Sequence, residues 1–237
     1  MRSDGDLLLS KQKVRRASIA KILPVAADLR QQRHAILAIS LNNSNYVSDK
    51  LAAMIAMASS RFDECTLLVG DSIYRLTLCL SEGISEDEAW ERSLRMGAHY
   101  VRENAPLLPS SGNVSFLLCS ELSGKPGVRS AYEVLLGIYQ ENTVFRNSVQ
   151  AFARSYGERV DIAPQAGFWH AQQYLLEELA LFSHLVGMGS RLILYAGNIQ
   201  TVADIAAGAC GDMRDLFAGL VFGSIRLKST CLLSGQD

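Results

Sequence analysis

The stretch Ala35-Ile36-Leu37-Ala38-Ile39-Ser40-Leu41-Asn42-Asn43-Ser44 decides the fold. An uninterrupted apolar run ends at a serine, and a polar, turn-forming cluster follows at once. A helical pattern then opens at Tyr46 and runs to about Ser59. Such a sequence predicts a strand buried on both faces, a tight turn and a helix. Ser40 falls at the carboxyl end of the strand, the rim where open α/β sheets place their ligands.

The same alternation continues outward. Residues 66–71 predict a second strand, ending on the polar Asp71 at the rim expected to hold ligands. A short helix follows over 72–81. Ser85-Glu86-Asp87-Glu88 has the form of a capping box, a serine with an acid three residues on, and opens a helix to about Glu103. A loop with two prolines spans 104–112. Val114–Leu118 predicts a third strand, with Cys119 just beyond it, and Gly124–Gly127 a turn. Helices are predicted at 129–139, 141–156 and 166–184, with a loop at 157–165. Residues 191–195 predict a fourth strand, 201–209 a helix and 217–222 a last strand. Residues 1–33 look helical, broken at Pro24. Strands alternating with helices imply parallel pairing with helices on both faces. The expectation is one Rossmann-like α/β domain over 35–237, with a central parallel sheet of about five strands, and a basic helical arm over 1–34 packed on it.

Bulk properties bound the function. The chain has 237 residues, 49% of them apolar and 20% charged, an ordinary globular balance. The formal charge of -1 excludes a strongly basic protein as a whole. The amino-terminal arm is the exception: Lys11, Lys13, Arg15 and Arg16 lie within a run of six residues, and such a cluster favours polyanions. Five scattered cysteines, none at metal-ligand spacing, fit a reduced, cytoplasmic protein. No signal peptide is visible, and no apolar run is long enough to cross a bilayer. The sequence marks no self-association face, which leaves a monomer as the expectation. It holds no Gly-rich phosphate loop and no Gly-x-Ser-x-Gly elbow. The four histidines stand apart from one another, so neither a metal site nor a histidine base for Ser40 is apparent.

Three features remain that can carry chemistry. Ser40 ends the first strand. Tyr174 and Glu178 stand four apart on one helix, which places phenol and carboxylate on one face about a turn apart, while Glu177 points away toward solvent. Tyr195 ends the fourth strand. If the first and fourth strands are central, Ser40 and Tyr195 open onto the same crevice.

Ala-Ile-Ser-x-x-Asn-Ser-x-Tyr at 38–46, Arg61-Phe62, Tyr-x-x-x-Glu-x-x-Leu-Phe at 174–182 and Leu-Ile-Leu-Tyr at 192–195 together resemble the tRNA-dependent cyclodipeptide synthases. The resemblance runs from the first strand almost to the carboxyl end. It implies a fold like the catalytic domain of class I aminoacyl-tRNA synthetases, and a secondary-metabolic aminoacyltransferase that takes two aminoacyl-tRNAs, needs no ATP, cofactor or metal, and releases a 2,5-diketopiperazine. It further implies a ping-pong reaction through aminoacyl- and dipeptidyl-Ser40 esters. Tyr174 and Glu178 would hold the first residue's α-amino group, Asn43 would shape the turn, and Tyr195 would assist ring closure. The first side chain would lie among Ile36, Ala38, Leu68, Gly70, Cys119, Leu181 and Ile193. The departures are Ala196, where the family often has histidine or proline, and a helix with only Arg92, Arg95 and Arg102 where many members carry an arginine-rich tRNA-binding surface. The basic arm is expected to supply the missing charge. Two other classes compete: a catalytically inactive aminoacyl-tRNA-binding module, which the intact Ser40, Tyr174, Glu178 and Tyr195 argue against, and a serine hydrolase of aminoacyl esters, which the absent histidine base weakens.

Overall fold

The computed structural model describes residues 11–159, 168–211 and 213–233. Six strands form one sheet: β1 (Lys11–Leu23), β2 (His34–Ile39), β3 (Glu64–Val69), β4 (Val114–Leu118), β5 (Leu192–Tyr195) and β6 (Val221–Leu233). Their spatial order is β1-β6-β5-β2-β3-β4. The five strands β2 to β6 are parallel, and β1 joins the edge antiparallel to β6.

β2 is the central strand. Ala35 to Ile39 are all at most 2% exposed, as an apolar run covered on both faces must be. From β2 the chain steps to β3 and then β4 on one side, and returns on the other side through β5 and β6. The direction of winding reverses between β2 and β5, so the crevice at their carboxyl ends is the topological switch point.

Helix α1 (Ser48–Arg61) covers one face of the sheet with Leu51, Met54, Ile55 and Ala58. Helices α2 (Asp71–Glu82) and α3 (Glu86–Asn104) follow β3, and a single turn, α4 (Ser120–Ser123), follows β4. The other face is covered by α7 (Phe168–Gly187), which is buried along most of its length because α2, α5 (Pro126–Glu141) and α6 (Thr143–Arg159) pack around it. The short helices α8 (Gln200–Ala206) and α9 (Arg214–Phe217) lead into β6. Local chemistry sets several boundaries. Gly83 ends α2 in the left-handed region at φ 65, and Ser85 caps α3 by accepting from the Glu88 N–H at 3.3 Å. α3 lies against α2 at Gly97, where a Cβ would come within 2.4 Å of the Asp71 Cβ.

Three expectations are corrected. Residues 11–23 form a strand, not a helix, because β6 pairs with them along its whole length. β6 starts at Val221 and runs to Leu233, well past the expected end at Phe222, so the sheet has six strands where about five were expected. The first α/β turn is longer than expected: α1 begins at Ser48, and Tyr46 stays in the loop. Parts of the expected 157–165 loop and of the first turn of the 166–184 helix lie outside the described residues.

Candidate active site

β2 and β5 lie side by side, with Ala38 in register with Tyr195. Ser40 leaves β2 on the same face as Ile36 and Ala38, the face that α7 covers. Its Oγ lies 3.1 Å from the Tyr195 hydroxyl. It also hydrogen-bonds Tyr174, which comes down from α7. One serine hydroxyl thus meets two phenols held by different elements. Glu178, one helical turn beyond Tyr174, reaches the same cavity.

Burial governs the electrostatics. Glu178 is 5% exposed, and removal from water pushes its carboxyl up to about 8. Tyr174 is held well above the ordinary phenol range by burial first and by the neighbouring Glu178 and phenols next, with the Ser40 hydrogen bond acting in the opposite direction. Tyr174, kept protonated at neutral pH, is a poor acceptor for a further proton. A serine proton released here therefore has its best acceptor in a leaving group brought by the substrate.

The cavity has a volume of about 240 Å³. That is below the ~300–1,000 Å³ typical of pockets for drug-sized ligands. Beyond Ser40, Asn43, Tyr174, Glu178 and Tyr195, its walls include Tyr74 and Thr77 of α2, Phe152 and Tyr156 of α6, and Ile199. The rings of Phe152, Tyr156 and Tyr174 cluster, with centroids 5.4–6.2 Å apart. No local pattern brings α6 to this rim, although an i, i+4 aromatic pair stands on it at Phe152 and Tyr156.

The turn after Ser40 is held by its own side chains. Asn43 Oδ1 accepts from the Asn45 N–H at 2.9 Å, and Asn45 donates to the Ala196 carbonyl at 3.1 Å. Tyr46, which sequence reasoning did not assign to the site, is fully buried beneath Tyr195 with ring centroids 5.8 Å apart. Its hydroxyl accepts from the Ala196 N–H at 2.9 Å. Tyr46 therefore fixes the backbone that carries Tyr195.

The structure does not bring the remaining expected residues to this cavity. Ile36, Ala38, Leu68, Cys119, Leu181 and Ile193 belong to the packed core between the sheet and α7, and Gly70 is buried at the start of α2. Leu181 lines a separate cavity of about 400 Å³. Asp71 is not among the residues lining the cavity: it is fully buried and accepts from the Ser120 N–H at 2.9 Å and from the Ser120 hydroxyl. Glu177 is not turned to solvent. It makes a two-pronged bond with Arg75, each contact 2.7 Å, and Arg75 stacks over Trp90. Of the cations expected at a tRNA surface, Arg15 pairs with Asp49, Arg92 with Glu82 and Arg95 with Glu91, while Arg102 contacts His99. Arg16 is exposed, and Lys11 and Lys13 lie on β1. Among the described residues, no three His, Cys, Asp or Glu side chains converge as metal ligands, and no helix is long and apolar enough to cross a membrane.

A serine, two phenols and a buried acid at the switch point of a mostly parallel sheet define a Rossmann-like domain with a small ligand site at its rim. The cyclodipeptide synthase family profile matches residues 25–209. A cyclodipeptide synthase from Fluoribacter dumoffii has the same fold, with a TM-score of 0.80 at 19% identity, over 92% of this chain and 100% of that one. A cyclodipeptide synthase from Candidatus Glomeribacter gigasporarum, solved with Phe-tRNAPhe, gives 0.63 at 16% identity over 86% and 89% of the two chains. The tyrosyl-tRNA synthetase of Archaeoglobus fulgidus gives 0.52 at 16% identity over 83% of this chain and 56% of that one, which places the fold with class I synthetases. No curated protein matches the sequence. The chain belongs to the cyclodipeptide synthase family, and is by that membership an aminoacyltransferase.

Proposed function

We propose that this enzyme joins the amino acids of two aminoacyl-tRNAs into a cyclic dipeptide by a ping-pong reaction in which Ser40 carries the growing chain. The observation that supports this most directly is the 3.1 Å contact between Ser40 Oγ and the Tyr195 hydroxyl, in a cavity that also holds Tyr174 and a buried carboxyl.

In the first step Ser40 Oγ attacks the ester carbonyl of an aminoacyl-tRNA. The bond to the terminal ribose oxygen breaks, and the serine proton passes to that oxygen. One ester replaces another, so position and proton transfer supply what the reaction needs, without ATP. The incoming α-ammonium lies against Glu178, whose charged form it stabilises by a charge-assisted hydrogen bond, with Tyr174 as the second contact. In the second step the α-amine of the Ser40-bound residue, once deprotonated, attacks the ester carbonyl of a second aminoacyl-tRNA. A peptide bond forms as the bond to the second ribose oxygen breaks, the amine's proton passes to that oxygen, the tRNA leaves, and a dipeptide remains on Ser40. In the third step the free amine of that dipeptide attacks the ester carbonyl at Ser40. The ring closes and the oxygen of Ser40 leaves. The Tyr195 hydroxyl, already in contact, returns a proton to it and recovers one from the attacking amine. Asn43 and Asn45 hold the turn on which Ser40 sits. Dependence on charged tRNA supports a cytoplasmic site of action.

The test is mass spectrometry of the protein after incubation with aminoacyl-tRNAs. An aminoacyl adduct is expected on the peptide bearing Ser40, and diketopiperazine in the medium of expressing cells. Ser40→Ala is expected to abolish both. Product that persists in that variant overturns the acyl-serine mechanism.

A further inference from the structure

The sheet is not level at its active edge. β5 ends at Tyr195, in register with Ser224 of β6, but β6 continues to Leu233 with β1 paired beside it throughout. At about 3.3 Å per residue, Arg226 lies about 7 Å and Lys228 about 13 Å past the last β5 pairing. A two-stranded ribbon therefore projects beyond the rim that holds Ser40.

The two faces of this ribbon differ. Ile225 and Leu227 of β6 and Ala17 and Ile19 of β1 pack with the α1-side core, and Arg15 on that side is paired with Asp49. The opposite face carries Arg226 and Lys228 of β6 and Arg16 of β1, all exposed. Alternation along β6 puts these cations on the side of the sheet where Phe222 packs with Ile36, Ala38 and α7, which is the side onto which Ser40 opens. Arg16 stands directly opposite Lys228 in the ladder. Like charges in that position cost stability unless an anion lies between them. Neither strand contains an acidic residue. Among the described residues, the salt bridges of the arginines on α3 have no counterpart at Arg16, Arg226 or Lys228. Charge on an edge strand also deters unwanted pairing, but that purpose is met by β1 alone and does not require cations on the inner strand β6.

We propose that Arg16, Arg226 and Lys228 form the phosphate-binding seat for the aminoacyl-tRNA, holding its acceptor end where the ester reaches Ser40. This rests on the functional reading above. It shifts the tRNA contact from the α3 arginines, already neutralised by neighbouring acids, to a ribbon whose two strands both lie outside the family-matched residues 25–209.

The experiment is equilibrium binding of uncharged bulk tRNA across 50–300 mM NaCl, for the wild type, Arg16→Ala/Arg226→Ala/Lys228→Ala, the charge-preserving Arg16→Lys/Arg226→Lys/Lys228→Arg, and Arg92→Ala/Arg95→Ala/Arg102→Ala. Each phosphate contact contributes about 0.7–0.9 to the slope of log K against log salt. The ribbon alanine variant is expected to lose about 2–3 from that slope, while its melting temperature stays at or above that of the wild type and the charge-preserving variant keeps the slope. An unchanged slope in the ribbon variant, or the full loss appearing only in the α3 variant, overturns the proposal. The two readings fail separately. Acyl-Ser40 formed by a wild type whose slope is indifferent to the ribbon removes only the seat. A ribbon-dependent slope in a protein that never acylates Ser40 removes only the mechanism.

Discussion

Replacing Glu178 by glutamine will make folding stability less sensitive to pH. In the unfolded chain this carboxyl titrates near its ordinary 4.5, and in the fold burial moves it to about 8. The native state thus keeps a proton that the unfolded chain gives up. Stability from this group is complete below about 4.5 and is lost as pH rises toward about 8. At ~1.36 kcal/mol per pKa unit, the decline between pH 5 and pH 8 is about 3–4 kcal/mol. Glutamine has the same shape and no such titration. Urea unfolding of both proteins at half-unit steps from pH 5 to pH 8.5 reads the difference directly, and other titrating groups cancel. The glutamine variant is expected to gain about 3–4 kcal/mol on the wild type across that range. A gap that stays flat from pH 5 to pH 8 refutes the argument that burial holds this carboxyl neutral. The same burial bears on catalysis: an arriving ammonium has a carboxyl ready to ionise against it, and the glutamine variant is expected to lose acylation of Ser40.

Tyr46→Phe removes the acceptor for the buried Ala196 N–H, and is expected to cost about 1–3 kcal/mol in denaturant unfolding. Because Tyr46 supports Tyr195 without lining the Ser40 cavity, its loss is expected to slow product release from acyl-Ser40 more than it weakens tRNA binding; an unchanged rate of ring closure counts against that positioning role. Gly97→Ala places a Cβ 2.4 Å from the Asp71 Cβ, so α3 must move off α2. A loss of about 1–3 kcal/mol is expected from the thermal melt, and a variant as stable as the wild type refutes the close approach.

What could be read in the sequence divides along physical lines. β2 was legible because a strand covered on both faces has no polar alternation to confuse it, and Ser40 marks its end. Tyr174 and Glu178 were legible because helical spacing alone places them together. Tyr195 followed from its strand. β1 was not legible, since Lys11–Leu23 becomes a strand through pairing with residues about 200 positions away, which no local pattern reports. The alternation Ile225-Arg226-Leu227-Lys228 in β6 was visible, but such a period is ordinary for any half-buried strand and does not say where pairing stops. Glu177 was read as solvated because spacing sets it off the Tyr174 face; its partner Arg75 lies on α2, beyond the reach of that argument. The cavity walls from α6 depend on how α6 docks against α7, which is set by tertiary packing.

The pairing of β1 with β6 ties together two segments from opposite ends of the chain. A shortened protein holding only residues 25–209 would lack both, leaving the outer edge of β5 with bare backbone donors and acceptors beside Tyr195. Such an edge invites strands from other molecules, so trimming this enzyme to its most recognisable portion would trade a closed catalytic rim for a site of aggregation.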